Sequence, residues 1–373
     1  MKSMFSAVLG AAVLLAAQPA SAQFVMTRTT PGVTYYHKAG ATLADHDTQL
    51  AQCVADAQTT AQPASGGNAL VLINPALGIA GVSYDLRRNR AGRRVNIENC
   101  MVANRWAIMT LGDADASRLS PLVREPARLH AALAGMVGAE RPVGILTRWF
   151  TNDAVNGASD RFSGAERTEG VSLSLEAGMG ASRGLIVLPP TPALPRPTLA
   201  TLPLEPLERA RHIRVTDDST LVFIRLTGDI RVSADIIAFE RLGPDASTPA
   251  WVDQRANLFA PSLNHRSVER GLPRVGVYAY RLPPGRWRLA GMARTDMAWS
   301  FCQGTIAFDA RPGEALYLGS FDLSGQMLPD MTMRDDIVPA SRRPEGLRAA
   351  EYTAEGRYPC SSVYIYGIEF PAS

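Results

Sequence analysis

Lysine is nearly absent from this chain of 373 residues, in which only Lys2 and Lys38 occur and arginine supplies the other basic side chains. The formal net charge is only +3, so the protein has no strong electrostatic field of the kind that attracts nucleic acid. Cysteine is also scarce, with four residues. Beyond residue 22, no apolar run reaches the roughly 20 residues needed to cross a membrane. The composition therefore argues against a nucleic-acid partner and against a transmembrane segment in the mature chain.

Familiar catalytic and cofactor motifs are missing as well. The sequence has no P-loop and no EF-hand loop, and "GMGASRG" at 178–184 has the wrong glycine spacing for a dinucleotide. None of the five histidines has another histidine at metal-ligand spacing. The "DHD" at 45–47 falls in the first turn of a predicted helix, where acidic residues are favoured. We therefore predict no cofactor, no metal and no catalytic residue.

Residues 1–22 have the plan of a cleavable signal peptide. Lys2 precedes an apolar stretch at 4–17, and small residues stand at Ala20 and Ala22. A membrane anchor is the alternative, but the apolar stretch is shorter than the ~20 residues that span a bilayer. The pattern predicts cleavage after Ala22 and a periplasmic location.

The four cysteines form an early pair, Cys53 and Cys100, and a late pair, Cys302 and Cys360. An even number of cysteines in an oxidising compartment favours disulfides. Three pairings exist, and local pairing within each half is favoured if each half is a domain. A metal site is the alternative, but the close C-x-x-C spacing usual for structural zinc is absent.

A proline-rich segment divides the chain near its middle. Leu188–Arg209 contains seven prolines, which are incompatible with a helix or a central strand. We predict a semi-rigid linker there, and a loop that wraps one domain is the alternative. The predicted organisation is a signal peptide (1–22), an α/β domain (23–187), the linker (188–209) and a β-sandwich domain (210–373).

The predicted α/β domain starts with two helices that a disulfide would join into a helical layer. In "ATLADHDTQLAQCVADAQTT", apolar residues recur at helical spacing, and Thr42 with Asp45 three residues later forms a capping box. "NIENCMVANRW" is a second short helix with Asn104 as its C-cap. Strands are predicted at "WAIMTL", "VGILTRWF" and "GVSLSLEA".

The cysteine-bearing helix and "CMVANRW" resemble a pattern in small uncharacterised envelope proteins and lipoproteins of Gram-negative bacteria. The resemblance covers residues 37–106. It departs from the pattern at Asn104-Arg105, where the pattern usually has Arg-Gly before the tryptophan. The resemblance implies a structural motif with no activity attached to it.

The second half is dominated by strand signals at "TLVFIRL", "SADIIAFERL", "VGVYAYRL", "RWRLAGM", "FCQGTIAFDA", "EALYLGSF" and "SSVYIYGIEF". Short strands separated by turn residues predict an antiparallel β-sandwich, so the fold class is α+β. We predict one hairpin that turns at Gly285 in "LPPGRWRL" and another that turns at Pro312-Gly313 in "DARPGEALYLG".

Cys302 lies in one of these predicted strands. Alternation puts it on the same strand face as Ile306 and Phe308, so we expect it to point into the sandwich. There it would tie the C-terminal strand to the sandwich through Cys360.

The two predicted hairpins carry a second resemblance. "VYAYRLPPGRWRLAG" followed by "FDARPGEALYLGSF" resembles the sandwich domain of uncharacterised Gram-negative envelope proteins, over Leu221–Phe321. In that domain a Pro-Pro-Gly hairpin precedes a Gly-Glu-x-x-Tyr-x-Gly strand. The resemblance implies an envelope location and no known catalysis.

Two groups of residues are candidate sites. A polar, glycine-rich loop carries four carboxylates that could hold a cation or act as an acid/base pair, and solvated carboxylates are the alternative: Asp153, Asp160, Glu166 and Glu169. Tyr278 and Tyr280 share a strand face that would bind sugar or a partner protein if exposed, whereas a covered face is sheet packing.

The sequence thus favours a secreted periplasmic two-domain protein that acts as a non-catalytic binding or assembly factor of the cell envelope. Its partner would be an envelope protein or a glycan. One alternative is a periplasmic hydrolase that uses the loop carboxylates. Another is a carbohydrate-binding module in the C-terminal sandwich.

Overall fold

The computed structural model describes residues 29–59, 92–152, 170–181, 205–206, 214–228, 236–242, 258–259, 276–293, 298–325, 327–334, 337–338, 340–358, 360 and 364–370. The predicted signal peptide lies outside the described residues, and so does the predicted linker apart from Glu205–Pro206. The fold class is α+β, as predicted. The division into domains at the linker stays a prediction.

The N-terminal half packs helices on a small sheet. Its helices are α1 (Leu43–Thr59), α2 (92–103), α3 (Asp113–Leu119), α4 (Pro126–Ala134) and α5 (Leu173–Ala181), and its strands are β1 (Val33–His37), β2 (Ala107–Thr110), β3 (Ile145–Arg148) and β4 (Val171–Ser172). The sheet order is β3-β2-β1-β4, with β1 antiparallel to β2 and parallel to β4.

Two predicted features of this half can be compared with the structure. The capping box of α1 is confirmed, because Thr42 Oγ1 accepts from the Asp45 amide (3.1 Å) and Asp45 Oδ2 accepts from the Thr42 amide (2.9 Å). The strand predicted at "GVSLSLEA" is wrong beyond Ser172, where α5 begins. Ser172 Oγ accepts from the Leu175 amide at 3.4 Å and so caps the new helix, a start signal that the alternating pattern concealed.

The C-terminal half is a sandwich of two sheets. Its strands are β5 (Glu205–Pro206), β6 (Thr220–Thr227), β7 (Ile236–Arg241), β8 (Leu258–Phe259), β9 (Gly276–Leu282), β10 (Gly285–Ala293), β11 (Ala298–Ser300), β12 (Thr305–Ala310), β13 (Ala315–Asp322), β14 (Arg348–Ala349), β15 (Thr353–Glu355) and β16 (Tyr364–Ile365). One sheet has the order β14-β13-β6-β9-β5. The other has the order β15-β12-β10-β11-β16, with β7 against β10 and β8 against β7.

The prediction of an antiparallel sandwich needs one correction. β13 pairs in parallel with both β6 and β14, and β11 pairs in parallel with β16. Alternation of apolar residues fixes which side chains face the core, but it carries no information on strand direction, which depends on how the connections run.

Both predicted hairpins are also wrong, although both turns exist. Gly285 and Gly313 have positive φ, 146° and 76°. However, β9 and β10 lie in different sheets, and so do β12 and β13, so each turn carries the chain across the sandwich. Prolines at 283, 284 and 312 lack the amide hydrogen that would continue a ladder, which suits a crossing as well as a hairpin.

The two sheets enclose the larger core, which contains Trp287, Leu289, Ile306, Phe308 and residues from the facing sheet. Cys302 is buried but does not belong to this core, so the predicted orientation is wrong. β12 begins only at Thr305, and Gly304 before it has φ 135°. That turn breaks the alternation on which the prediction relied.

Cys302 instead packs in the core of the N-terminal half. That core contains Cys53, Cys100, Trp106 and Leu133, and it also takes in Cys302, Cys360 and Ile365 from the C-terminal half. The two halves therefore share one hydrophobic cluster. Within the described ranges, no helix has the length and apolar character that a bilayer crossing requires.

Candidate functional site

A cavity of about 340 Å³ lies where the N-terminal half meets the sandwich. This volume is within the range of small-ligand sites, roughly 300–1,000 Å³. We call it the junction cavity, and its lining residues are Ala103, Arg105, Phe150, Gln303, Gly304, Thr305, Ala354, Glu355, Gly356, Arg357, Gly367, Ile368, Glu369 and Phe370.

Arg105 enters the cavity from the end of α2, in an unusual backbone conformation. Its φ is 70°, and among the described residues no other non-glycine residue has a positive φ. The Trp106 amide donates to Met101 O and the Arg105 amide to Val102 O, which makes a Schellman motif and confirms Asn104 as the C-cap. Glycine is usual at this position because a side chain costs about 1–2 kcal/mol there.

The Arg105 guanidinium lies over an aromatic ring and pairs with a carboxylate. Its Cζ is 3.8 Å from the centroid of Phe150, and its Nη2 forms an ion pair with Glu369. Phe150 stacks in turn on Tyr366, with ring centroids 6.1 Å apart and an interplanar angle of 4°. Partial burial lowers the pKa of Arg105, although a guanidinium remains charged in proteins. The aromatic stack therefore fixes the orientation of a positive group at the mouth of the cavity.

The strand that precedes Phe150 is anchored by a buried ion pair. Arg148 Nη1 lies 3.2 Å from Glu98 Oε2, and the same oxygen accepts from the amide and the hydroxyl of Thr30 (2.9 and 3.0 Å). Burial raises the pKa of Glu98, while the charge of Arg148 opposes that change. Because removing one partner of such a pair is costly, β3 has a firmly fixed end next to the cavity.

The C-terminal segment forms the wall opposite α2. Asn152 Nδ2 donates to Glu369 O (2.8 Å), and the Glu369 amide donates to Asn152 Oδ1 (3.0 Å). The Tyr366 hydroxyl donates to Thr151 O at 3.1 Å. These bonds hold the main chain of Glu369, whereas its side chain is 60 % exposed.

A polar network joins α1 to the cavity on another side. Gln303 Nε2 donates to Asp56 Oδ2 at 2.9 Å, and Arg357 pairs with the same carboxylate oxygen. Asn104 Nδ2 donates to Gln303 Oε1 at 3.4 Å. Arg357 and Gln303 thus belong to the sandwich half but are fixed by residues of the N-terminal half.

Both disulfides lie beside this network, with the pairing that the sequence predicted. Cys53 bonds to Cys100 and Cys302 bonds to Cys360, with Cα atoms 5.5 and 5.2 Å apart. The Gln303 carboxamide is 3.6 Å from the sulfur of Cys100 and 3.6 Å from that of Cys360. Both disulfides therefore brace the junction.

Glu355 in the cavity wall is held by two neighbours. Arg286 donates to its Oε2 through Nε (3.0 Å) and Nη2 (2.8 Å), and the Tyr358 hydroxyl donates to its Oε1 (2.7 Å). Burial favours the neutral carboxyl, but the hydrogen bonds from Tyr358 and Arg286 outweigh it and lower the pKa of Glu355. Burial, followed by the hydrogen bond to Glu355 and then by the charge of that carboxylate, raises the pKa of Tyr358.

Glycines leave part of the cavity wall as bare main chain. A Cβ added at Gly304 would be 3.5 Å from Ile368 O, and one at Gly356 would enter open space. The Ile368 amide donates to Gly304 O at 2.8 Å, which closes the wall on that side.

The chemistry that this lining offers is recognition by charge, aromatic contact and main chain. The described lining contains no histidine, serine, cysteine or lysine. Its hydroxyl group, on Thr305, donates to Leu289 O at 2.6 Å. The charged side chains are engaged in the ion pairs and hydrogen bonds given above.

The candidate sites expected from the sequence do not coincide with this cavity. Asp153, Asp160, Glu166 and Glu169 lie outside the described residues. Tyr278 and Tyr280 are 6 and 4 % exposed and belong to the sandwich core. They are therefore packing residues, and the alternative of an exposed aromatic binding face is wrong. Their strand lies in the middle of a sheet whose inner face the other sheet covers, which period-two alternation alone does not reveal.

The "DHD" segment forms a polar chain on the helical layer. His46 is 1 % exposed, and its Nδ1 lies 2.9 Å from Asp47 Oδ1, while His130 Nε2 lies 2.7 Å from Asp47 Oδ2. His46 Nε2 is buried with no hydrogen-bond partner. No group of three potential ligands suited to a metal ion occurs in the described part of the chain.

Sequence reasoning missed the residues that line the cavity, because they come from distant segments. One signal was available, namely the Arg105 that replaces the glycine usual in the resembled pattern. A comparison with family models, with curated proteins and with solved structures gives no match for this chain.

Proposed function

We propose that this is a periplasmic protein of the cell envelope that binds a ligand in the junction cavity and acts through binding rather than turnover. The observation that carries the proposal is the composition of the cavity wall. It combines an aromatic-supported arginine, an exposed carboxylate and bare main chain with no nucleophile–base pair among its described residues.

The proposed compartment is supported by two independent features. Disulfides persist in oxidising compartments and are rare in the cytosol, and this chain has two, with no free cysteine among the described residues. The predicted signal peptide at 1–22 supports the same location. Fractionation of cells that express the full chain tests this point, because the proposal requires a processed protein in the osmotic-shock fraction.

The site itself is tested by a substitution that fills the cavity. Ala354→Trp places an indole on the cavity wall, and Ala131→Trp places one on the exposed face of α4 as a matched control. After incubation with periplasmic peptides and glycans, native mass spectrometry reveals which molecules are retained. We expect the wild type and Ala131→Trp to retain the same ligand and Ala354→Trp to lose it.

Two results would contradict the proposal. The first is retention of the same ligand by Ala354→Trp, which would place binding elsewhere. The second is chemical conversion of the retained molecule that a single polar substitution abolishes, which would show an enzyme.

A further inference from the structure

We infer that the junction cavity recognises the free C-terminal carboxylate of a peptide, that Arg105 binds this carboxylate, and that Glu369 occupies its place in the unliganded protein. This inference rests on the proposed function and names the ligand class for the same site.

The orientation of Arg105 suits the binding of a carboxylate. A residue that adopts a left-handed backbone conformation without being glycine points to a local requirement for its side chain. The ring of Phe150, 3.8 Å from Cζ, supports one face of the guanidinium. A guanidinium held flat in this way presents its N–H groups edge-on, which is the geometry for a bidentate bond to a carboxylate.

Glu369, the present partner of Arg105, is replaceable. The side chains of Arg105 and Glu369 are 39 and 60 % exposed, and ion pairs with that exposure add little to stability. The main chain of Glu369 is fixed by Asn152, so only its side chain has to rotate away. An incoming carboxylate can therefore take the same position without disturbing the fold.

The other charged side chains of the cavity are held in place by partners outside it. Glu355 is held by Arg286 and Tyr358, and Arg357 is held by Asp56, whose side chain is only 22 % exposed. Of the three charged pairs in the cavity wall, the pair of Arg105 and Glu369 has the most exposed carboxylate. We therefore expect a ligand carboxylate to replace Glu369 at Arg105 and not at the other pairs.

An edge strand beside the cavity favours a peptide as the carrier of the carboxylate. β15 stands at the end of its sheet order, and Ala354 and Glu355 from this strand line the cavity. An extended peptide can add to such an edge through main-chain hydrogen bonds. Gly356 beside the strand has open space where a side chain would stand, and Phe370 offers an apolar contact for the peptide's last side chain.

The test uses three synthetic probes and isothermal titration calorimetry. The first is N-acetyl-alanyl-alanyl-phenylalanine with a free C-terminus, and the second is the same tripeptide with a C-terminal amide. The third is amidated and has aspartate as its middle residue, so its carboxylate comes from a side chain. We expect the free acid to bind about tenfold more tightly than either amide, since it alone forms the charge-assisted pair at the end of the chain.

Two variants separate Arg105 from folding and from simple packing. Arg105→Gly removes the guanidinium but suits the left-handed backbone, so it is expected to stay folded and to bind the free acid no better than the amide. Glu369→Gln removes the competing charge and is expected to bind the free acid about threefold more tightly. Arg118→Gln, which breaks the exposed ion pair with Asp115 on α3, is the matched control and should change nothing.

Several outcomes would overturn the inference. These are equal affinity for the free acid and its amide, equal affinity for the aspartate probe, no binding of any probe, or weaker binding by Glu369→Gln. Each leaves the proposed function to be judged separately by whether Ala354→Trp loses the natural ligand.

Discussion

The side chain of Asn96 accepts a hydrogen bond from the main-chain amide of Ile365, 269 residues further along the chain, at 3.0 Å. Both residues are buried, and the bond joins α2 to β16. The contact shows that the C-terminal strand is fixed by the N-terminal half, which is what forms the junction cavity.

Replacing Asn96 by alanine is expected to destabilise the whole protein. The Ile365 amide would lose its acceptor in the interior, at a cost of about 1–3 kcal/mol in the free energy of unfolding. Urea denaturation measures the change. Asn152→Ala, which removes two hydrogen bonds at an exposed position, is the matched control and should cost less. Equal stability of Asn96→Ala and the wild type would contradict the buried contact.

Removing the late disulfide should affect both halves of the chain. The Cys302→Ala/Cys360→Ala variant opens a loop of 58 residues and is expected to lose about 4 kcal/mol in the chain-entropy model. Because Cys302 packs in the N-terminal core, we also expect faster hydrogen exchange at the end of α1, near Asp56. Unchanged exchange in α1 would show that this disulfide serves the sandwich alone.

The backbone of Arg105 can be tested with two variants that both lack the guanidinium. Arg105→Gly is expected to be more stable than Arg105→Ala by about 1 kcal/mol, because only glycine adopts positive φ at little cost. Elsewhere on a helix alanine is the more stable of the two. Urea denaturation of both variants measures this difference. Greater stability of Arg105→Ala would contradict the left-handed conformation.

Acidification is expected to destabilise the protein through His46. Burial, the largest effect, lowers the pKa of His46 below its ordinary value of 6.5, so the unfolded chain binds a proton more readily than the folded one. Stability is therefore full above pH 6.5 and falls as the pH drops towards the folded-state pKa, by at most about 1.4 kcal/mol per pH unit for one proton. Denaturation midpoints between pH 7 and pH 4.5 measure it.

His46→Phe preserves a ring between Tyr36 and Trp106 and should flatten this part of the pH profile. Asp47→Asn should act in the opposite sense, because the Asp47 carboxylate raises the pKa of His46 and its removal extends the loss to lower pH. An identical slope in His46→Phe and the wild type would assign the acid sensitivity to other groups.

Local signals in the sequence were sufficient for local structure. The capping box of Thr42 and Asp45, the C-cap at Asn104 and the turns at Gly285 and Gly313 depend on neighbouring residues, and the structure contains all of them. The disulfide pairing followed from proximity along the chain.

Non-local relationships could not be predicted in the same way. A Pro-Gly turn after an alternating strand fits a hairpin and a crossing between sheets equally well, and only the packing of both sheets decides between them. Cys302 was placed in the wrong core because one left-handed glycine, Gly304, reverses the alternation. The cavity residues stand on segments as far apart in the chain as Ala103 and Phe370, and no spacing rule connects Arg105 with Glu369.

Hydrogen-exchange mass spectrometry with and without the free-acid tripeptide shows directly whether the junction cavity is a binding site built around Arg105. We expect the probe to slow exchange in segments 353–357 and 364–370 of the wild type, to leave α3 unchanged, and to protect the same segments of Arg105→Gly much less. Protection elsewhere in the chain, or equal protection in Arg105→Gly, would contradict this expectation.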